Sequence, residues 1–125
     1  MIRIAVTELE YKKAKDVFQA ARATGMECIG VPADEPELAK AIVSSGIQHA
    51  IVGIKRYSGP LYSALPKGGV LARFGVGHDG IDKDLATQQG ILCANTPGAL
   101  DDSVAECAIA LIVAAARHIP LVTSQ

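Results

Sequence analysis

Short runs of aliphatic and β-branched residues alternate along this chain with segments in which apolar residues recur every three or four positions. Runs of the first kind are typical of strands, and segments of the second kind predict helices. Five strands are predicted, over Ile2 to Val6, Glu27 to Val31, His49 to Ile54, Val70 to Phe74 and Ile91 to Ala94. Because strands and helices alternate regularly, the pattern predicts an α/β fold with a parallel sheet and crossover helices.

The segments between the first three strands carry helix patterns with recognisable ends. An apolar stripe over Tyr11 to Ala21 predicts one helix, which ends at Gly25. A second helix is predicted to begin at the N-cap Asp34 and to stop at Gly46. The third connection has a proline at each end, which leaves room for a short helix.

The last predicted helix is apolar on every side. Ser103-Val-Ala-Glu106 matches a capping box, in which a serine hydroxyl and a glutamate carboxylate satisfy backbone donors at a helix start. From Val104 to Ala116 its only charged residue is Glu106. A helix of this kind must be covered on every side. One of its faces can lie on the sheet of this chain, and the other requires another domain or another copy.

The composition narrows the classes of protein. The 125 residues fit a single domain, 1–125, and half of them are hydrophobic although only 4% are aromatic, which suits a core of Val, Ile, Leu and Ala. A net charge of -1 gives no long-range field to attract nucleic acid or an anionic membrane. The apolar run from Val104 to Ala116 is shorter than the ~20 residues that a bilayer requires. Neither nucleic acid nor membrane is expected as a partner.

Three cysteines, Cys28, Cys93 and Cys107, lie within apolar runs, and no two of them form a C-x-x-C motif. An odd number of cysteines in such positions indicates buried, reduced thiols, as in a cytoplasmic protein. No metal site is expected.

A glycine-rich segment, Gly75-Val-Gly77-His-Asp-Gly80, satisfies the G-x-G-x-x-G pattern of a dinucleotide site. In such a site the third glycine lies where the helix packs on its strand. Here Asp82 follows the glycines and is predicted to cap a short helix, Lys83 to Gln89. The next strand ends in Asn95, where a ribose-binding carboxylate is needed. The pattern therefore does not predict a nucleotide site.

The same glycines have another use if the strand order is 2-1-3-4-5. Such a sheet binds ligands beside the carboxyl ends of strands 1 and 3, where the order switches. The segments that follow the strands there are Thr7 to Leu9, Ile54 to Tyr57 and Gly75 to Asp79. A glycine-rich turn can point its N–H groups into a concavity that holds a carboxylate or phosphate, and Lys55 and Arg56 add positive charge. These residues indicate an anion site.

Simpler interpretations stay open for these residues. Lys55 and Arg56 also fit a solvated pair of charges at a strand end, and the glycines also fit a turn that needs positive φ. His78 and Asp79 are adjacent in extended backbone, so their side chains point to opposite faces and do not predict an acid–base pair.

Four pieces of the second half occur in a recognisable arrangement: Arg73 to Asp82, Gly90 to Gly98, Ser103 to Glu106 and Arg117. Together they resemble the N-terminal, substrate-binding part of the D-isomer-specific 2-hydroxyacid dehydrogenases. Phosphoglycerate dehydrogenase-like and glyoxylate/hydroxypyruvate reductase-like members are the nearest analogues. Before Val70 the similarity is architectural. The resemblance implies a flavodoxin-like three-layer sandwich whose five-stranded parallel sheet has the order 2-1-3-4-5.

The resemblance also implies how a substrate is held. The backbone N–H groups of Val76 and Gly77 would bind the carboxylate of a 2-oxo or 2-hydroxy acid. Lys55 or Arg56 would line the rest of the pocket.

For the cofactor, the resemblance implies that Ser103 and Val104 face the nicotinamide of NAD or NADP in a complete enzyme. The family's cofactor fingerprint and its catalytic Arg, Glu and His lie beyond the last helix, and this chain stops at Gln125. The expectation is a separated substrate-binding domain without a Rossmann domain. It would bind no cofactor by itself, contain no catalytic residue and be inactive alone.

In the family, the long helix passes between domains and joins the dimer interface. Here Ser103 to His118 must either fold back onto the sheet or swap into a second molecule, so a homodimer is expected. The alternative from another class is a non-enzymatic flavodoxin-like module, which binds a ligand or serves as a scaffold.

Overall fold

The computed structural model describes residues 1–123, and its centre is a five-stranded parallel sheet. The strands are β1 (Ile2–Thr7), β2 (Met26–Val31), β3 (His49–Val52), β4 (Val70–Arg73) and β5 (Leu92–Ala94). Their order is β2-β1-β3-β4-β5, and every neighbouring pair is parallel. Helices lie on both sides of the sheet. The predicted fold class, strand order and flavodoxin-like arrangement are confirmed.

Seven helices connect and follow the strands in the described part of the chain. They are α1 (Glu8–Lys13), α2 (Lys15–Ala20), α3 (Glu35–Ser44), α4 (Pro60–Ala64), α5 (Lys83–Gln89), α6 (Asp101–Ala116) and α7 (Ile119–Thr123), with a 3-10 turn at Ala21–Thr24. The ends predicted at Gly25 and Gly46 are confirmed, and both glycines have positive φ. Asp82 caps α5 as predicted, because its Oδ1 accepts a hydrogen bond from the Leu85 N–H at 3.0 Å.

The first predicted helix is divided at Ala14, so the prediction of one continuous helix was wrong. Ala14 has φ -135° and ψ 40°, values outside the helical region. The break changes which side of the segment is buried. Val17, a member of the predicted apolar stripe, is exposed, whereas Glu10 is buried.

The core lies between the sheet and the layer formed by α3, α4 and α5. Its largest fully buried side chains include two tyrosines, Tyr57 and Tyr62. The Tyr57 hydroxyl donates to the Ala33 carbonyl at 3.1 Å, and the Tyr62 hydroxyl donates to the Tyr57 carbonyl at 2.8 Å. Both polar groups are therefore satisfied inside an apolar layer, as buried hydroxyls must be.

The other side of the sheet is covered by α1 and α2 near β1 and β2. Phe18 on α2 stacks on Tyr11 with ring centroids 5.7 Å apart and reaches Phe74, beyond the end of β4, at 6.2 Å. Further along this side, Ile51 and Ala72 are only half-buried, and Leu92 on the edge strand is exposed. The second layer of helices is therefore incomplete.

The last long helix, α6, does not fold back onto this open side. Every residue from Leu92 to Val113 is exposed, and no residue of α6 is buried. Within residues 1–123, no helix combines the length and apolar character that a membrane crossing requires. Cys93 and Cys107 are exposed and Cys28 is half-buried, so the prediction of buried thiols was wrong. Cys93 on β5 and Cys107 on α6 are exposed because these two elements lack a covering layer.

Ser103 is not the cap of α6, which corrects the predicted capping box. The helix begins at Asp101 with Leu100 as N-cap, and no side chain caps it. Asp101 and Asp102 occupy the first turn, where negative charge stabilises a helix through its dipole. The N-cap therefore lies three residues before the predicted one, and Ser103 and Val104 lie exposed within the first turn.

Candidate functional site

The loops that follow β3 and β4 pack backbone against backbone at the carboxyl end of the sheet. The Tyr57 N–H donates to the Gly80 carbonyl at 2.8 Å, and Tyr57 pairs with Ile81 in an isolated parallel bridge. A Cβ added at Gly80 would lie 2.4 Å from the Lys55 carbonyl oxygen, a distance that no side chain tolerates. Glycine at position 80 therefore allows the two backbones to approach closely. As a result, the loop that carries Lys55 and Arg56 lies beside the glycine turn.

The glycine turn is held from the side of β5. The Gly75 carbonyl accepts a hydrogen bond from the Thr96 N–H at 3.0 Å, and the Val76 carbonyl accepts one from the Asn95 side-chain amide at 2.9 Å. Residues 1–123 contain no cis peptide bond, and in a trans peptide the N–H points opposite to the C=O. The N–H groups of Val76 and Gly77 must therefore both point away from Asn95 and Thr96.

These two N–H groups are available to a ligand. Within residues 1–123, neither of them donates a hydrogen bond to another protein group. A Cβ placed on Gly77 would meet no atom within 4 Å, so the space beside it is open. Two adjacent, parallel backbone donors at an open turn form a nest, which is a recurrent way of binding an anion.

Lys55 and Arg56 are both exposed, and within the described residues neither forms an ion pair. Arg56 lines a cavity of about 340 Å³ together with Lys83 and with three carboxylates, those of Asp79, Asp82 and Asp84. Val76 and Gly77 are not among the residues that line it. The structure thus brings the two loops together without placing Arg56 and the N–H pair in this one cavity.

A neighbouring cavity of about 210 Å³ lies on the β5 side of the turn. It is lined by His78, Ile81, Lys83, Cys93, Ala94 and Asn95. His78 faces this cavity and Asp79 faces the other, in agreement with the prediction that the two do not form a pair. Although Cys93 is exposed as a residue, partial desolvation of its thiol raises the pKa of that thiol, and Lys83 partly opposes the rise. In the described part of the chain, no three His, Cys, Asp or Glu side chains could hold a metal ion together.

Glu10 is a buried carboxylate at the switch point that sequence reasoning missed. Only 6% of the residue is exposed; the Thr7 hydroxyl donates to its carboxylate, and the Lys13 ammonium lies 3.8 Å away. A Cβ at Gly53 would lie 2.2 Å from Glu10 Oε1, so the carboxylate occupies the space that this glycine leaves. No local pattern marks Glu10, because four of the six residues of α1 are Glu or Lys, as in a solvated helix.

The geometry agrees with the sequence argument against a dinucleotide site. Gly80 packs on the Lys55 carbonyl and not on a helix, and Asp82 caps α5 in place of the glycine turn. β5 ends at Ala94, and the following Asn95 binds the turn with its amide. This placement of Gly80 differs from that of a dinucleotide loop, whose third glycine lies where the helix packs on its strand.

Comparison with known proteins places this arrangement in a family. The family model described as D-isomer specific 2-hydroxyacid dehydrogenase, catalytic domain, matches residues 4–123. The chain belongs to the D-isomer specific 2-hydroxyacid dehydrogenase family. The resemblance predicted from the glycine turn and the segments after it is thereby confirmed.

Two relatives show how much of a D-isomer specific 2-hydroxyacid dehydrogenase the chain represents. The glyoxylate reductase of Pyrococcus horikoshii is 31% identical over 118 residues, which cover 91% of this chain and 33% of that protein. The D-3-phosphoglycerate dehydrogenase of Archaeoglobus fulgidus is 55% identical over 51 residues, which cover 41% of this chain and 10% of that protein. The chain spans a third or less of the length of these curated relatives.

Solved structures of similar proteins share the fold of this dehydrogenase-family chain. D-lactate dehydrogenase from Escherichia coli, in its apo form, matches 99% of this chain and 40% of its own with a TM-score of 0.73 at 19% identity. The structure reported for the pyruvate reductase of Chlamydomonas reinhardtii matches 96% of this chain and 36% of its own with a TM-score of 0.73 at 22% identity.

Proposed function

We propose that this chain is the substrate-binding domain of a D-2-hydroxyacid dehydrogenase. In this proposal, the N–H groups of Val76 and Gly77 bind the carboxylate of a 2-oxo or 2-hydroxy acid. The observation that carries it is the shared direction of these two N–H groups, which Asn95 and Thr96 impose by binding the carbonyls on the other side of the same peptides. Family membership supports a 2-oxo or 2-hydroxy acid as the substrate class in this proposal.

Lys55 and Arg56 complete the proposed pocket. They follow β3, the strand next to β4 on the side opposite to β5, and the N–H pair points away from the β5 side. Both cations are exposed, so their side chains are free to turn toward a bound anion. A charge-assisted hydrogen bond from either one would strengthen carboxylate binding beyond what neutral N–H donors provide.

Reduction requires more than this pocket. A nicotinamide carbon must be held against the substrate, and a positioned acid must reach the substrate oxygen. The sequence predicts neither a dinucleotide site nor an acid–base pair at the N–H groups, and the separate cavities that His78 and Asp79 line support the second expectation. We therefore propose that the chain alone binds the 2-oxo acid without reducing it. NAD or NADP would act only in a complete enzyme, where Ser103 and Val104 would face the nicotinamide.

Amide NMR on the isotope-labelled chain tests this proposal. Titration with glyoxylate, hydroxypyruvate or pyruvate is expected to give saturable shifts at Val76 and Gly77, and NADH is expected to give none. Shifts at Gly75 to Gly80 with NADH would restore the dinucleotide interpretation. If no oxo acid moves any amide, the non-enzymatic scaffold becomes the better description.

A pair of variants sharpens the test. Gly77→Ala adds a methyl group into open space, so the fold should keep its free energy of unfolding to within about 1 kcal/mol. The same methyl group would crowd a carboxylate on the N–H pair, and we expect the dissociation constant for glyoxylate to rise several-fold. Val76→Ala trims an exposed side chain and leaves both N–H groups in place, so it should bind as the original chain does.

A further inference from the structure

Tyr62 contacts both of the segments that form the proposed carboxylate site. The residue lies on α4 and is only 1% exposed. Its hydroxyl donates a hydrogen bond to the Tyr57 carbonyl at 2.8 Å and accepts one from the Asp82 N–H at 2.6 Å. A phenol hydroxyl has one proton to donate and lone pairs that accept. Tyr62 therefore uses both capacities, and it uses them on two different segments of the chain.

The first segment is the loop after β3, residues 53–59, which we call the cation loop because it carries Lys55 and Arg56. The second is the glycine turn, residues 75–80, together with the cap of α5 that follows it. The residues of both segments that would meet an acid are exposed. Their separation is therefore set by contacts elsewhere in the two segments.

The two segments are joined at one junction. Within residues 1–123, a single hydrogen bond runs directly from the cation loop to the glycine turn, from the Tyr57 N–H to the Gly80 carbonyl at 2.8 Å. The Tyr62 hydroxyl bridges the next pair of backbone groups, which are the Tyr57 carbonyl and the Asp82 N–H. The position of the cation loop relative to the turn depends on these contacts.

We infer that Tyr62 is a positioning residue of the carboxylate site: its hydroxyl holds the cation loop where Lys55 or Arg56 can reach an acid on the glycine turn. The inference rests on the proposed function. Burial makes the hydroxyl hard to replace, because water does not reach the backbone groups that it bridges. Desolvation also raises the pKa of Tyr62, although the Asp82 N–H partly opposes the rise. The phenol therefore keeps the proton that it donates to Tyr57.

Preorganisation is the physical reason why such a residue affects affinity. A cation strengthens carboxylate binding through a charge-assisted hydrogen bond, which requires the two groups to be in contact. A loop that is ordered only when the acid binds loses conformational entropy at that moment, and the loss weakens binding. The Tyr62 hydroxyl restrains the cation loop before the acid arrives.

Titration of the 125-residue chain with glyoxylate, followed by amide NMR, tests the inference. Tyr62→Phe keeps the buried ring and removes both hydrogen bonds, and we expect it to raise the dissociation constant at least about threefold. Binding by this variant should also depend less on salt, because the cations would contribute less to it. The shifts of Val76 and Gly77 in the free protein should persist, because Asn95 and Thr96 still orient those peptides.

Removal of the two cations shows whether Tyr62 acts through them. In a chain with Lys55→Met and Arg56→Met, adding Tyr62→Phe should change the dissociation constant by less than about twofold, because no charge remains to be positioned. Equal weakening with and without the cations would overturn the inference. Ile42→Val is the control for a general loss of stability. It removes one methyl group from a buried residue in the last turn of α3 and should leave the affinity unchanged.

The possible outcomes separate this inference from the proposed function. If the original chain binds neither glyoxylate, hydroxypyruvate nor pyruvate, the proposed function fails and Tyr62 has no site to position. If the original chain binds and Tyr62→Phe binds equally well, only the inference is overturned. Hydrogen exchange checks the junction without a ligand: the Tyr57 N–H should exchange several-fold faster in Tyr62→Phe than in Ile42→Val. Equal exchange in these two variants would also overturn the inference. Circular dichroism confirms that each variant has folded.

Discussion

Tyr57 lies in the loop after β3 and joins this loop to the rest of the molecule. Its phenol has a clearly raised pKa. The residue is 1% exposed, and its hydroxyl donates to the Ala33 carbonyl. Burial, followed by the charge of Glu10, raises the pKa of Tyr57 from 10.0 to about 12. The folded state therefore holds the phenol proton more tightly than the unfolded chain does.

A pH dependence follows from this shift. The stability that Tyr57 contributes is fully present below pH 10, the unfolded value, and is lost as the pH rises through about 12. Tyr57→Phe removes the hydrogen bond to Ala33 and should cost about 1 kcal/mol at neutral pH. Urea unfolding at several pH values measures the free energy of unfolding of both chains. The difference between the original chain and the variant should decrease between pH 10 and 12. A difference that stays constant through this range would contradict the assignment.

Two helix caps show where local sequence suffices and where it fails. The cap formed by Asp82 was predicted correctly, because its hydrogen bond to the Leu85 N–H joins residues within one helical turn. Ser103 also has the right spacing to Glu106, but Asp101 and Asp102 extend the helix beyond it. Glu10 gave no signal at all, because its burial depends on Thr7 and on the space at Gly53, which only the folded sheet brings close.

Among the elements, α3 supports α4 through one carboxylate. Glu35, in the first turn of α3, accepts hydrogen bonds from the N–H groups of Ser58, Gly59 and Leu61 at 3.2, 2.8 and 3.3 Å. These N–H groups lie at and before the start of α4, where helix donors have no partner within the helix. The sequence pattern of α3 assigned Glu35 no such role, since its partners are more than 20 residues away.

This contact predicts a large difference between neighbouring glutamates. Glu35→Ala should lower the free energy of unfolding by about 1–2 kcal/mol, because it leaves the donors before α4 without an acceptor. Glu37→Ala should change it by less than about 0.5 kcal/mol, because Glu37 only pairs with Lys40 on the surface. Both residues lie in the first turn of α3, so their effects on the helix dipole are matched. Chemical denaturation measures both, and equal losses would argue against the cap.

For the whole molecule, the two ends of the chain contribute differently to stability. The core cluster contains no residue after Ile91. We expect removal of residues 101–125 to leave the free energy of unfolding of the remaining body within about 1 kcal/mol, when both forms are compared at concentrations low enough to be monomeric. A larger loss would mean that α6 packs on its own sheet in solution.

The fold of the whole molecule could be predicted from the sequence better than its candidate site could. Strand patterns such as Ile2–Thr7 and Val70–Arg73 are short, strongly aliphatic and regularly spaced, so the pattern predicts the parallel sheet with crossover helices, and the resemblance to the family adds the strand order. The orientation of a peptide group such as that between Val76 and Gly77 depends on a hydrogen bond to Asn95, 19 residues along the chain. Contacts of this kind form only once the sheet has brought β4 and β5 together.

The direction of the two N–H groups in the glycine turn has a consequence for how such a pocket changes during evolution. In the proposed carboxylate site, recognition by the main chain would not depend on which side chain stands at position 76, so substitutions there would leave acid binding intact. Binding would depend instead on the hydrogen bonds that orient the two peptides, chiefly the one that the Asn95 side chain donates to the Val76 carbonyl. Side-chain scanning of the pocket would therefore overlook the two proposed backbone donors.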